Sequence, residues 1–208
     1  LLGPVLGMNI RRDLGSSVGP DLGGILGMSF LRDYVVNLDQ EQGTVTLTRR
    51  LNRIIGKPIA IRPTRLGGVP RVVLDIPGIG PQPFLIDTGF VGAFHGDLSP
   101  PVLKALLARR SADIVRSNWV SRKDAQKTEL TACDIIQVGD FEIGQFNYRN
   151  LEFMESSRNI LGIRFWSRDN VIFDFPRKVM YIRRTDLRSQ KKRWEKDQPM
   201  VHSPNSRL

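Results

Sequence analysis

Pro83-Phe84-Leu85-Ile86-Asp87-Thr88-Gly89, continued by Phe90-Val91-Gly92-Ala93-Phe94, decides how this chain reads. The apolar run predicts a buried strand, and the acid, small hydroxyl and glycine that end it predict a tight loop presenting Asp87 at the strand's end. An Asp-Gly pair also serves in ordinary turns, so the tripeptide takes its meaning from its flanks. Upstream, Val69-Pro70-Arg71-Val72-Val73-Leu74-Asp75-Ile76 is a second strand candidate and Pro77-Gly78-Ile79-Gly80-Pro81 a turn, which puts Asp87 just after a β-hairpin. Downstream, Ser99 stands as a cap before Pro100-Pro101-Val102-Leu103-Lys104-Ala105-Leu106-Leu107, with Arg109 and Arg110 at the end, so this segment is the best helix candidate. Residues 111–131 are mostly polar. Asp134 to Gly144 alternates around Gly139-Asp140 and reads as a hairpin, with Phe146 to Phe153 as partner strand.

The chain also answers itself. Gly24-Ile25-Leu26-Gly27-Met28-Ser29-Phe30 matches Asn159-Ile160-Leu161-Gly162-Ile163-Arg164-Phe165, and Val36-Asn37-Leu38-Asp39 matches Val171-Ile172-Phe173-Asp174. Gly27 and Gly162, Phe30 and Phe165, Val36 and Val171, and Asp39 and Asp174 are each 135 positions apart, a constancy that marks an internal repeat. Each copy then enters a strand-like run, Thr44-Val45-Thr46-Leu47 or Val179-Met180-Tyr181-Ile182. The same interval counted back from Asp87 reaches position −48, ahead of Leu1, so the first copy is expected to lack the part that would carry its own acid. The expected organisation is therefore the C-terminal fragment of a first lobe at 1–50, a basic, proline-interrupted linker at 51–68, a complete lobe at 69–185, and a basic, solvated tail at 186–208. Asp13-Leu14-Gly15 is a poor second acid loop, because Arg11-Arg12 precedes it instead of an apolar strand.

Composition limits the alternatives. Over 208 residues, a hydrophobic content of 40% and a charge content of 25% suit a globular core, and 19 glycines and 13 prolines between β-branched runs favour strands and turns over long helices. The expected class is all-β, mostly strand with one or two short helices. Cys133 is the only cysteine, so no intrachain disulfide can form, and its apolar setting predicts a small core residue. His95 and His202 are the only histidines, thin material for a histidine metal site or a Ser-His-Asp triad, and no metal or cofactor is expected. No run of about 18 apolar residues is present to span a membrane. A formal charge of +10 makes attraction to polyanions available, but no aromatic-basic motif accompanies it, and a nucleic-acid partner is not the expectation.

With the acid loop, its hairpin, the helix and the later Ile160-Leu161-Gly162 in place, the chain resembles the retropepsin-like aspartic protease family, in particular its bacterial tandem or stand-alone members. The resemblance covers about Pro70 to Arg183, and Gly24 to Leu47 for the end of a first copy. It implies a retropepsin or pepsin-like acid-protease barrel, with one complete lobe plus part of a preceding one, and an aspartic endopeptidase acting on peptide or protein substrates. Asp87 would be one of two catalytic aspartates, Thr88 would brace the loop against its partner, and Gly89 would let the backbone turn tightly near substrate. The second acid would come from a second retropepsin-like lobe, upstream in the same polypeptide or in a homodimer. Phe90 stands where many relatives carry alanine and is a candidate to shape the substrate pocket. Trp119, in the flap region Ser117 to Thr131, is a second candidate substrate contact, although Ser117 to Gln126 lacks the glycine usual at a flap tip. The competing expectation is a retropepsin-fold module that has lost a competent dyad and binds peptides or proteins without cleaving them.

Overall fold

Strand follows strand through most of the chain, as the short apolar runs between glycines and prolines require. The computed structural model describes residues 24–51, 56–65, 67–90, 93–122 and 130–184. The expected basic tail at 186–208 and the Asp13 loop lie outside the described residues. After a single helical turn, α1 (Met28–Leu31), come β1 (Val35–Asp39), β2 (Thr44–Thr48), β3 (Ile59–Ala60), β4 (Arg71–Ile76), β5 (Gly80–Asp87) and β6 (Gly96–Leu98). Helix α2 (Pro100–Ala108) leads to β7 (Ala112–Arg122), β8 (Leu130–Ile143), β9 (Phe146–Glu155) and β10 (Ile160–Gly162). A 3-10 turn at Ile163–Trp166 precedes β11 (Asp169–Asp174) and β12 (Val179–Arg184). The all-β expectation holds.

One sheet runs β4-β5-β10-β6-β9-β8-β7. A bridge between Asp75 of β4 and Glu142 of β8 joins the ends of its first six strands, so these six close into a barrel with β7 outside it. Closure removes two sheet edges and lets inward residues meet from all sides. Phe84, Phe141 and Phe153 are fully buried there, with ring centroids 5.7 and 5.3 Å apart along the series. The alternation of β4, with Val72, Leu74 and Ile76 buried and Val73 and Asp75 exposed, is the pattern of a strand with one face inward.

The second sheet runs β2-β1-β11-β12-β3 and displays the repeat as symmetry. β1 and β11 pair antiparallel with Val36 opposite Phe173, Leu38 opposite Val171, and Asn37 opposite Ile172. Asn37 and Ile172 are themselves equivalent in the repeat, so a pseudo-two-fold axis passes between them. The outer pairs obey it: Val35 faces Thr48 as Asn170 faces Arg183, and Asp39 faces Thr44 as Asp174 faces Val179. α1 and the 3-10 turn are equivalent in position too, preceded by Gly27 at φ −83°, ψ 174° and Gly162 at φ −82°, ψ 176°. Val36 and Leu38 belong to the same buried cluster as Phe84, Phe141 and Trp166, so the first-copy strands and the barrel share one core.

Two local expectations change. Gly139-Asp140 is no turn, because β8 runs straight through it: the Gly139 N–H donates to the Ser111 carbonyl (3.2 Å) and Asp140 pairs with Arg149 across β9 (3.1 Å). The chain reverses after Ile143 instead, where Gly144 takes the left-handed conformation (φ +60°) that favours glycine. Within the span read as a linker, β3 joins the edge of β12, with Ile59 opposite Met180, and Ile61 is buried.

Candidate active site

β5 carries Phe84 and Ile86 into the core and ends on Asp87. It is held on both sides. β4 pairs antiparallel on one flank, and β10 lies parallel on the other, with Ile160 level with Leu85, Leu161 with Ile86 and Gly162 with Asp87. The loop that follows is tied down by short hydrogen bonds. The Gly89 N–H donates to Asp87 Oδ1 (3.0 Å), the Phe90 N–H to the Asp87 carbonyl (3.1 Å), the Ile163 N–H to the Phe90 carbonyl (3.2 Å) and the Gly162 N–H to the His95 carbonyl (2.8 Å). These bonds orient the acid while leaving it outside the core: Asp87, Thr88 and Gly89 are all exposed.

The glycines here are needed for space. A Cβ on Gly89 would stand 3.2 Å from Asp87 Oδ1, and one on Gly162 would stand 2.5 Å from Phe90 Cδ1 and 2.9 Å from the Phe90 carbonyl. Gly89 keeps its neighbourhood clear for the carboxylate, and it does so within the turn that the Phe90 N–H closes on the Asp87 carbonyl. Phe90 is half-buried with its ring against Gly162, which gives it a packing contact beside any contact with substrate. Trp119 lies in β7, the strand outside the barrel, in register with Cys133 of β8. Cys133 is buried, as its apolar setting suggested.

Asp87, Thr88 and Gly89 border a groove of about 290 Å³ whose remaining wall is apolar and comes largely from the first copy, including Ile25, Leu26, Leu31, Val36 and Leu38. Among the described residues that line it, Asp87 is the sole carboxylate. The groove thus adjoins both halves of the pseudo-symmetric sheet. A larger cleft of about 650 Å³, lined by Arg32, Asp33, Thr64, Arg65 and Lys178 among others, holds one acid among several bases and none of the acid-loop residues.

Two supports were not foreseen. Asn159 clamps the acid strand: its Oδ1 accepts the Ser99 N–H (2.8 Å), its Nδ2 donates to the Pro83 carbonyl (3.3 Å), and its own carbonyl accepts the Leu85 N–H (2.9 Å). The signal was present, since Asn159 opens the second copy of the repeat where the first copy has Gly24. Ser99, read as a side-chain cap for α2, takes the cap position with its side chain unbonded to the helix and serves through its backbone.

A second polar cluster lies under another cleft. Tyr148 donates to Asp169 Oδ2 (2.7 Å) and Arg184 Nε donates to Asp169 Oδ1 (3.3 Å), while the guanidinium carbon of Arg184 sits 4.8 Å from the Tyr148 ring centroid. Burial raises the Asp169 carboxyl above the ordinary carboxylate range, with the tyrosine hydroxyl and Arg184 opposing the rise. Burial, together with the Asp169 charge, raises the Tyr148 hydroxyl as well. His95 is lowered by burial first, with Arg164 and Arg168 adding to the effect, and its Nδ1 accepts the Glu152 N–H at 3.0 Å. This cluster ties β9, β11 and β12 together and is separate from the Asp87 groove.

Among the described residues no group of three or more His, Cys, Asp or Glu side chains is placed to hold a metal ion, and no helix is long and apolar enough to cross a membrane. Comparison of the sequence with known protein families and with curated proteins gave no match.

Proposed function

We propose that this chain is the acid-bearing lobe, joined to the closing strands of a second lobe, of a retropepsin-like aspartic endopeptidase. The observation that carries the reading is the two-fold relation of the second sheet: Asp87 stands exposed at the end of its strand, beside a groove whose far wall is the equivalent copy of the segment that supports it. A two-fold related acid would face Asp87 across that groove.

The chemistry follows from the pairing. Water attacks an amide poorly, so one carboxylate must accept its proton while a second, protonated carboxyl polarises the scissile carbonyl. Two carboxyls close together share one proton because both cannot ionise at once, and the pair titrates as a unit. Gly89 directs its N–H to Asp87 Oδ1 and keeps space beside it. Thr88 would brace the loop against its mate, and Phe90 and Trp119 are the proposed contacts with peptide substrate. Replacing Asp87 with Asn is expected to lower peptide cleavage at acidic to mildly acidic pH by about a thousandfold or more, with the circular dichroism spectrum unchanged. Cleavage at the parental rate would overturn the assignment.

The presence of a lone carboxylate among the described groove residues favours a second reading, a retropepsin-fold module that binds peptide or protein without cleaving it. Peptide binding that survives Asp87→Asn, with no turnover in the parent protein under any partner condition, would select it.

A further inference from the structure

The cleft above the Tyr148, Asp169 and Arg184 cluster encloses about 530 Å³, and the strong bases lining it are all arginines: Arg149 from β9, Arg164 from the 3-10 turn, Arg168 just ahead of β11 and Arg184 from β12. Glu152 is the sole carboxylate lining it among the described residues. Like charges gathered at one concave surface repel one another, so the fold has to hold them there. Arg184 is held from behind. Its Nε donates to Asp169 Oδ1 (3.3 Å), its Nη1 donates to the Asn147 carbonyl (3.0 Å), and its guanidinium carbon sits 4.8 Å from the Tyr148 ring centroid. The bonds described for it use two of its five N–H groups. Arg149 is steadied at the flank by Asp140 (3.1 Å). Arg164 and Arg168 are exposed, and both stand close enough to His95 for their charges to act on its ring. His95 adds a donor: its Nδ1 accepts the Glu152 N–H at 3.0 Å, and a neutral imidazole accepting at one nitrogen carries its hydrogen on the other, Nε2. The repeat shows that the shared fold does not require this charge. Arg184 has an equivalent in Arg49, which likewise lies over a tyrosine, 4.3 Å from the Tyr34 centroid. Arg164 and Arg168 have no such counterparts, because Ser29 and Asp33 stand 135 positions earlier, and α1 forms with them.

Guanidinium groups present a planar fork of donors that matches phosphate oxygens, and several of them converging suit a doubly charged anion. A carboxylate or sulfonate carries one charge, whereas a phosphate monoester carries nearly two at neutral pH. We propose that this cleft is a binding site for the phosphate monoester of a small molecule, with Arg164, Arg168 and Arg184 donating to the phosphoryl oxygens and His95 donating beside them through Nε2. The volume belongs to the range of small-molecule sites, about 300–1,000 Å³, which leaves room for the organic group that carries the phosphate. Binding is linked to proton uptake. The charged groups around His95 are Glu152 of β9, Arg164 of the 3-10 turn and Arg168 after it; burial holds the ring neutral first, and the two arginines add to that effect. A dianion lying between the arginines and the ring favours the imidazolium and so raises the His95 pKa. None of this depends on the protease reading, since Asp87 borders a different groove.

Calorimetric titration of the full chain with phenyl phosphate, and with benzenesulfonate as its singly charged counterpart, tests the site. Phenyl phosphate is expected to bind about tenfold tighter or more. Arg164→Gln combined with Arg168→Gln should weaken it about a hundredfold. Arg32→Gln combined with Arg65→Gln removes the same charge from the larger cleft and should leave the affinity within about twofold. All four arginines are exposed, so circular dichroism should show both variants folded. Proton NMR supplies a second readout, because the chain has two histidines and the His95 signal is the one lost in His95→Gln. Saturating sulfate, a dianion across the whole range, should raise the His95 titration midpoint by about half a pH unit or more. No binding at millimolar phenyl phosphate, equal affinity for the sulfonate, equal losses in the two double variants or an unmoved His95 midpoint would each overturn the proposal. A single-stranded oligothymidylate that binds tighter than phenyl phosphate, and is lost with Arg164 and Arg168, would assign the cleft to nucleic acid and overturn it as well.

Discussion

Gly162 and Gly27 share their backbone angles and differ in what a methyl group would meet, so alanine at the two positions is a controlled comparison. At Gly162 the added carbon strikes both the Phe90 ring and its carbonyl. Overpacking of this kind costs about 1–3 kcal/mol, and it should also displace the acid loop. At Gly27 the backbone is extended and the space open, so Gly27→Ala is expected to be neutral or to stabilise the chain by up to about 1 kcal/mol through the unfolded state. Urea denaturation of both variants checks the pair, and equal effects would contradict the packing described for Phe90. His95 gives a second expectation at this scale. Because its folded pKa lies below the unfolded value, the folded state binds fewer protons in between, so the contribution of His95 to stability is present above the unfolded histidine pKa and is lost as pH falls through the folded one. Nδ1 faces both the Glu152 N–H (3.0 Å) and the Glu152 carbonyl (3.3 Å), so a proton there exchanges the first bond for the second and offsets part of the cost of burial. The urea midpoint should drop on acidification below about pH 6.5, and His95→Gln should flatten that part of the curve.

Elements built from local chemistry were legible in the sequence, while those built from distant pairing were not. The β4-β5 hairpin and α2 follow from an apolar run ending at glycine, a proline-rich turn and proline at the helix start, all local effects. Gly139-Asp140 misled because glycine beside aspartate is a strong turn pair, yet in this fold Arg149 and the Ser111 carbonyl supply partners that keep it extended. β3 was hidden for the opposite reason: Ile59-Ala60 is too short to declare itself and exists because β12 has a free edge. The acid loop was found because three residue types converge there, and Asn159 was missed because its three bonds reach segments 60 to 76 residues away. The register at the axis can be tested directly. Asn37 and Ile172 are directly opposed, and opposed antiparallel Cα atoms lie about 4.5–5.5 Å apart, inside the range a disulfide spans. Asn37→Cys with Ile172→Cys should therefore form an intrachain bridge under mild oxidation, seen as a faster-migrating band without reductant. If Asn37→Cys bridges more readily to Val171→Cys or Phe173→Cys than to Ile172→Cys, the sheet is slipped by one residue.

At the scale of the whole molecule, the first-copy strands occupy a place that the repeat would allow a second chain to take. Removing residues 1–50 would uncover the β11 edge, leave its backbone groups unpaired and expose Val171 and Phe173, now 0% and 2% exposed. That edge has a ready solution. Because β1 pairs with β11 about Asn37 and Ile172, and the two strands are repeat equivalents, β11 of one shortened chain can pair with β11 of another about Ile172 and Ile172. The shortened chain is therefore expected to be a symmetric dimer whose thermal midpoint rises with protein concentration, whereas the full chain's does not. Ile172→Cys should cross-link that dimer through its two-fold, and the same substitution in the full chain should yield no covalent dimer because Asn37 holds the facing position. The dimer would bring two copies of Asp87 to one groove, so any peptide cleavage it shows should vanish with Asp87→Asn while the cross-link persists. A shortened chain that stays folded and monomeric at micromolar concentration, or a dimer that Ile172→Cys fails to cross-link, would mean that the two-fold governs the sheet only within one chain.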